Sequence, residues 1–264
     1  MKITVKTLQK MKEQGKKISA LTAYDTLFAA YLDRAGIDVI LVGDSAGMVV
    51  AGYESTVPVT MEQMIYHAQC AKRGVKNALL VVDMPFMSYQ VSPEDALRNA
   101  GRLLKEGGAE AVKLEGGKTV AAQIRTCVEA GIPVMGHLGM TPQSVNMFGG
   151  FKTQGKTSEE AKKIKEDALA VQEAGAFSLV LEKVPALLAK EISEMLKIPT
   201  IGIGAGADTD GQILVTQDML GMFEEFKPKF VRLYANLAEE IRKAAGQYAE
   251  DVRKGAFPSD EESY

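Results

Sequence analysis

Short apolar runs rich in branched residues recur along the chain, alternating with longer stretches in which apolar positions return every three or four residues. The first pattern belongs to strands buried on both faces and the second to amphipathic helices, so their alternation predicts a parallel sheet with crossover helices. The predicted strands are Ile18 to Ala23, Asp38 to Gly43, Leu79 to Asp83, Ala111 to Glu115, Pro133 to Leu138, Phe177 to Glu182, Pro199 to Gly204 and Gln212 to Thr216. Eight such strands are what a closed (β/α)8 or TIM barrel requires, and 264 residues is the usual size for one. The expectation is α/β: a single barrel domain spanning residues 1–264, with a short N-terminal helix.

Several helix boundaries are marked. Ser92-Pro93-Glu94-Asp95 supplies a capping hydroxyl, a proline where its missing N–H costs nothing, and carboxylates at the positive helix end, predicting a helix from Pro93 to about Glu106. Gly107-Gly108 then ends it, because glycine accepts the left-handed conformation that terminates helices. Ala35-Gly36, Ala130-Gly131 and Ala174-Gly175 repeat the device, each shortly before a strand. Two segments break the rhythm. Met140 to Ser158 reads as a long loop, which in a compact barrel is usually functional. The acidic tail, 258–264, lacks the apolar content to pack by itself and is expected to be disordered or docked on a neighbouring subunit.

Hydrophobic residues make up 46% of the chain, enough for a full core, and the net charge of −3 comes from interspersed residues. No cationic face is implied, which argues against nucleic acid. No apolar run is long enough for a signal peptide or a membrane span, so a cytoplasmic protein with no membrane partner is expected. Cys70 and Cys127 are far apart and lack neighbours at metal spacing; both read as buried free thiols.

The polar residues fall where chemistry would need them. Catalytic groups of such barrels come from the C-terminal strand ends, and here the strands run into Tyr24-Asp25, Asp44-Ser45, Asp83, Glu115, His137 and Glu182. A core strand gains no stability by ending in a carboxylate, which must be solvated, paired or metal-bound. Any single one of these acids also fits helix capping. Asp44, Asp83 and Glu115 together, on three neighbouring strands, point to a hard divalent cation, Mg2+ rather than zinc. Lys113, two residues before Glu115, shares its face and points inward, where it needs an anion. Glu182 also suits interaction with the helix start after Pro185. His137 also reads as a satisfied core histidine, and His67, inside the helical stretch Met61 to Lys72, as a structural or surface residue.

One motif competes. Gly150 to Thr157 satisfies the phosphate-loop pattern letter for letter, making a nucleotide-binding protein a rival class. That loop requires a buried strand immediately before it, whereas Thr141 to Asn146 is polar and contains a proline. Gly202-Ile203-Gly204-Ala205-Gly206 lies where many barrels hold phosphate, and a tight backbone turn explains it equally well.

Long motifs in order across nearly the whole chain resemble the ketopantoate hydroxymethyltransferase family. They are Leu21-Thr22-Ala23-Tyr24-Asp25, Leu41-Val42-Gly43-Asp44-Ser45, Asp83-Met84-Pro85-Phe86-Met87, Val112-Lys113-Leu114-Glu115-Gly116-Gly117 and Gly136-His137-Leu138-Gly139-Met140-Thr141-Pro142-Gln143-Ser144. Phe148-Gly149-Gly150-Phe151-Lys152, which overlaps the phosphate-loop pattern, continues the series with Leu179-Val180-Leu181-Glu182 and Ile201-Gly202-Ile203-Gly204-Ala205-Gly206.

The resemblance implies transfer of a hydroxymethyl group from 5,10-methylenetetrahydrofolate to 3-methyl-2-oxobutanoate through a Mg-stabilised enolate, giving ketopantoate for pantothenate and coenzyme A synthesis. It implies Mg2+ held by Asp44, Asp83 and Glu115, substrate contacts from Asp44, Ser45, Asp83 and Lys113, and Glu182 as proton acceptor. His137 is expected to assist. Family members form homo-oligomers, commonly decamers. Where relatives often carry a histidine near the end, this chain has Glu261-Glu262-Ser263-Tyr264. The nearest rival within enzymes is a Mg-dependent 2-oxo-acid lyase or mutase of the phosphoenolpyruvate mutase and isocitrate lyase type, against whose lyase branch stands the lack of a loop cysteine.

Overall fold

The computed structural model describes residues 2–224 and 228–264. The chain divides into two compact units, residues 1–214 and 215–264. In the first, eight parallel strands close into a barrel in sequence order: β1 (Ile18–Thr22), β2 (Val39–Val42), β3 (Leu79–Asp83), β4 (Ala111–Glu115), β5 (Val134–Gly139), β6 (Ser178–Glu182), β7 (Thr200–Ile203) and β8 (Gly211–Leu214). The sheet closes where Ile18 of β1 pairs with Gly211 of β8. The expected (β/α)8 architecture is therefore present, with strand ends shifted by a residue or two. Two of those shifts have a cause: Pro133 and Pro199 have no N–H to enter the ladder, so β5 and β7 begin one residue later.

The helices of this unit are α1 (Val5–Glu13), α2 (Thr26–Arg34), α3 (Ala46–Val49), α4 (Met61–Gly74), α5 (Pro93–Lys105), α6 (Ala121–Glu129), α7 (Val145–Phe148), α8 (Ser158–Glu173) and α9 (Ala186–Met195). Ser92 caps α5 by accepting from the Asp95 amide, with Pro93 in the first turn, and Gly108 follows the helix in the left-handed region at φ 74°. The segment expected to be a long loop, Met140 to Ser158, contains a 3-10 turn at Pro142–Ser144 and then α7, while 149–157 has no helix or strand. The second unit contains α10 (Thr216–Met219), α11 (Leu237–Lys254) and a 3-10 turn at Asp260–Glu262, inside the acidic tail. Ser259 and Glu262 cap that turn reciprocally.

Strand alternation decides what fills the barrel. Ile18, Ala20, Val39, Leu41, Leu79, Val81, Ala111, Met135, Val180, Ile201 and Ile213 form one buried interior cluster. Leu8 of α1 belongs to it, with Ile3, Val5 and Met11 packed against it, so the N-terminal helix closes the barrel floor. Each fully buried aliphatic side chain contributes roughly 1.5–3 kcal/mol. Two residues beyond Val81, Ala111, Met135 and Val180 the same face of the strands presents Asp83, Lys113, His137 and Glu182, and Glu115 lies one further step along β4. An apolar plug thus supports a polar mouth.

Away from the mouth, buried Asp33 of α2 ties the start of β3 to its neighbouring helix. Its Oδ1 accepts from the amides of Asn77 and Ala78, both at 2.7 Å, and its Oδ2 from Asn77 Nδ2 at 3.0 Å. Burial alone would raise its pKa, but these donors overcome that and hold it below the ordinary carboxylate value. A depressed folded pKa contributes stability above the unfolded value of roughly 3.9 and loses it as pH falls through the folded pKa. Asp33→Ala should therefore cost about 1–3 kcal/mol in urea unfolding at neutral pH, by stranding two amides, with a smaller penalty in acid. An unchanged unfolding midpoint at neutral pH would exclude this role.

Candidate active site

Parallel register brings the strand-end side chains together. Asp83 pairs with Lys113 across β3 and β4, and Glu115 with His137 across β4 and β5. Lys113 Nζ consequently lies 2.9 Å from Asp83 Oδ1 and 3.3 Å from His137 Nδ1. The same Nδ1 is 3.3 Å from Glu115 Oε1, and His137 Nε2 faces Glu182 Oε2 at 3.3 Å without completing a hydrogen bond. Asp83 Oδ2 accepts from the Asp44 amide at 3.1 Å, which fixes the turn after β2 against β3. Ser45 follows, its hydroxyl 2.8 Å from Tyr24 Oη. Asp44, Asp83, Lys113, Glu115 and His137 are all buried, at 3–6% exposure, whereas Glu182 is partly open.

Glu182 owes its place to a close approach of backbones. Gly139 at the end of β5 has φ 94°, and a Cβ there would stand 2.2 Å from the Glu182 carbonyl oxygen. That oxygen accepts from the Met140 amide at 2.8 Å. Lys183, immediately after Glu182, takes a left-handed φ of 47°, uncommon for a residue with a side chain, and its carbonyl accepts from the Gln154 amide.

Asp44, Asp83, Lys113, Glu115, His137 and Glu182 lie in one linked group, and Ser45 adjoins it as the chain neighbour of Asp44. Sequence reasoning missed Gln143 and Tyr89. Gln143 donates from its backbone to Glu115 Oε2 at 3.0 Å and from Nε2 to Asp44 Oδ2 at 2.8 Å, while Tyr89 Oη lies 2.7 Å from Gln143 Oε1. Nothing in its spacing marked Gln143; it sits inside a polar, proline-containing stretch whose backbone folds back over the mouth. His67, expected to be structural, brings Nδ1 within 2.8 Å of the Tyr24 carbonyl. Cys127 is buried and Cys70 half-buried, both as free thiols. The Gly150 to Thr157 segment follows α7, not a strand, and Thr157 caps α8 by accepting from the Glu160 amide. The phosphate-loop reading therefore lacks its structural frame.

Residues 2–260 match the family described as ketopantoate hydroxymethyltransferase. The chain belongs to that family. The 3-methyl-2-oxobutanoate hydroxymethyltransferase of Syntrophus aciditrophicus (strain SB) is 57% identical over 263 residues, covering 100% of this chain and 97% of the relative. That of Clostridioides difficile (strain 630) is 57% identical over 264 residues, covering 100% and 96%. This family member is accordingly an enzyme of the transferase class. Among solved structures, phosphonopyruvate hydrolase complexed with oxalate and Mg2+ superposes with a TM-score of 0.63 at 14% identity, covering 98% of this chain and 93% of that one. 2,3-Dimethylmalate lyase, of the phosphoenolpyruvate mutase/isocitrate lyase superfamily, superposes with a TM-score of 0.60 at 16% identity, covering 100% and 93%. At such identities the likeness is one of fold, so the rival lyase or mutase reading is supported only as a fold relationship.

The electrostatics of this hydroxymethyltransferase-family site are those of crowded acids. Burial pushes Asp44 well above the usual carboxylate range, and the charges of Asp83 and Glu115 push it further. Burial also raises Asp83, against the pull of Lys113. Burial would lower Lys113, but Asp83, Glu115 and Asp44 together keep its ammonium firmly protonated. His137 is pushed down by burial and by Lys113, yet the carboxylates of Glu115 and Glu182 at its two ring nitrogens favour the charged imidazolium and lift it to about 9. A raised histidine pKa adds stability that is full below roughly pH 6.5 and vanishes as pH climbs through the folded value. In the cation-free protein, NMR titration of His137 should show a midpoint near 9; a midpoint at or below about 6.5 would remove its carboxylate partners as the controlling influence.

Proposed function

We propose that this chain transfers a hydroxymethyl group from 5,10-methylenetetrahydrofolate to 3-methyl-2-oxobutanoate, using the polar barrel mouth as its active site. The observation that carries the reading is the pairing of His137 with Glu182, a partly open carboxylate at the rim of an otherwise buried charge network. A proton acceptor must reach substrate, and among the four acids Glu182 has the access.

A divalent cation fits the donors on charge. With every acid ionised, Asp44, Asp83, Glu115 and Glu182 would face only the cations Lys113 and His137 and leave two negative charges uncompensated, the crowding that raises Asp44 and Asp83 and that a divalent cation would relieve. Asp83 Oδ1 lies against the Lys113 ammonium at 2.9 Å, and an ionised carboxylate, with about four acceptor sites, still keeps accepting capacity there. Among the described residues no three His, Cys, Asp or Glu side chains form a ready-made cage, so Asp44, Asp83 and Glu115 would adjust when they take up Mg2+. Once held there, Mg2+ would supply Lewis-acid stabilisation of negative charge developing on the keto oxygen.

The protein's own groups divide the remaining work. Lys113 offers a buried positive charge to the substrate carboxylate or keto oxygen, and Ser45 a hydroxyl anchored by Tyr24. Asp44 and Asp83 border the same space. Glu182 accepts the proton from C3 of the 2-oxo acid, and His137 holds its carboxylate in place. The carbon nucleophile so formed takes up the one-carbon unit at the formaldehyde level: water supplies its oxygen as both C–N bonds to the methylene break, tetrahydrofolate leaves, and the new alkoxide recovers the proton held by Glu182. The family reading extends to a homo-oligomer, expected as a decamer, and to cytoplasmic location.

The deciding assay measures ketopantoate formed from the two substrates with and without Mg2+; no product under either condition would sink the reading. Glu182→Gln should still bind 3-methyl-2-oxobutanoate but lose deuterium exchange at C3 by roughly 100-fold or more. Full exchange in that variant would take the base role from Glu182. Asp83→Ala should weaken the dependence of rate on Mg2+, and an unaltered metal titration would remove Asp83 from the ligand set.

A further inference from the structure

The side-chain amide of Gln143 has two donor hydrogens and two acceptor lone pairs, and all four are engaged. Nε2 donates to Asp44 Oδ2 at 2.8 Å and to the Met84 carbonyl at 2.9 Å. Oε1 accepts from Tyr89 Oη at 2.7 Å and from Gln90 Nε2 at 3.1 Å. Tyr89 also accepts from the Glu115 amide at 3.1 Å, and of the two acceptors within reach of its single hydroxyl hydrogen, Gln143 Oε1 at 2.7 Å is nearer than the Glu115 carbonyl at 3.2 Å. The amide cannot be turned over, because its oxygen would then oppose the Met84 carbonyl, which has no hydrogen to donate. The backbone N–H of Gln143 meanwhile donates to Glu115 Oε2. One buried residue, carried on the loop after β5, therefore grips the acids from the ends of β2 and β4.

We propose that Gln143 is a positioning residue that holds Asp44 and Glu115 in a common frame for a divalent cation, with Tyr89 locking its amide. This rests on the reading of the site given under the proposed function. Gln143 takes one lone pair from each carboxylate and leaves the others available, since an ionised carboxylate has about four acceptor sites. Because Gln143 is neutral, it orients the acids without removing the uncompensated charge that would attract the cation. Outer partners of this kind typically change metal affinity by roughly 10- to 100-fold when lost.

The test uses the full chain and Mn2+ as the probe, with binding followed by calorimetry and by the Mn2+ EPR signal. Gln143→Met keeps the length of the side chain and deletes its side-chain hydrogen bonds, the hold on Asp44 among them, while the backbone donation to Glu115 remains, so Mn2+ should bind roughly 10- to 100-fold more weakly while circular dichroism still reports the folded barrel. Tyr89→Phe leaves both Gln143 donations possible but unlocks the amide, and should weaken Mn2+ by less. Affinity equal to wild type in folded Gln143→Met overturns the role. If Gln143→Met fails to fold, Tyr89→Phe decides: weaker Mn2+ binding with unchanged circular dichroism supports the role, and unchanged affinity overturns it. A wild-type chain that binds no Mn2+ defeats the metal reading itself, a result distinct from wild type and variants binding alike.

Discussion

A charge taken out of water must find a partner, because an isolated buried ion costs several kcal/mol even after relaxation. The barrel mouth buries Asp44, Asp83, Glu115, Lys113 and His137 within one small volume, and the rest of the site follows from how those charges are shared. Register places Lys113 beside Asp83 and His137 beside Glu115, while the Asp44 amide satisfies the second oxygen of Asp83. The arrangement tolerates its acids without neutralising all of them. That incomplete compensation is what the proposed function uses, since a cation and an anionic substrate would then enter the site together.

Such a network needs a rigid base. Below it, the strands fill the barrel with aliphatic side chains, and Leu8 of α1 helps close the far end. Above it, the segment after β5 turns back across the mouth through the 3-10 turn at Pro142–Ser144, delivering Gln143 to acids on β2 and β4. Neighbouring strands supply the charges, and a distant loop restricts their geometry. Barrels only 14–16% identical to this one share the scaffold, which shows how much chemistry such a rim accommodates and why activity is argued from the rim itself.

Motifs were informative in proportion to the structural context they carried. The phosphate-loop letters of Gly150 to Thr157 occur without the preceding strand that gives them meaning, and their threonine is instead an ordinary helix cap. The strand-end acids, each ambiguous alone, gained meaning because eight strands in one barrel deliver them to the same end. The loop expected between Met140 and Ser158 was located by its loss of periodicity, but its short helical turns carry no long-range pattern and could not be read.

The order of letters was sufficient for the eight strands, for both ends of α5 and the glycine-marked ends of α2, α6 and α8, and for the inward direction of Lys113. Alternation and capping act over two to four residues, and parallel strands buried on both faces leave an unmistakable apolar run. The motifs likewise carried the family. Tertiary structure alone decided that His137 spans Glu115 and Glu182, that Gly139 allows the backbone approach behind Glu182, and that Gln143 reaches Asp44. Those contacts join residues from different strands and loops, where closure of the barrel rather than local sequence sets the distance.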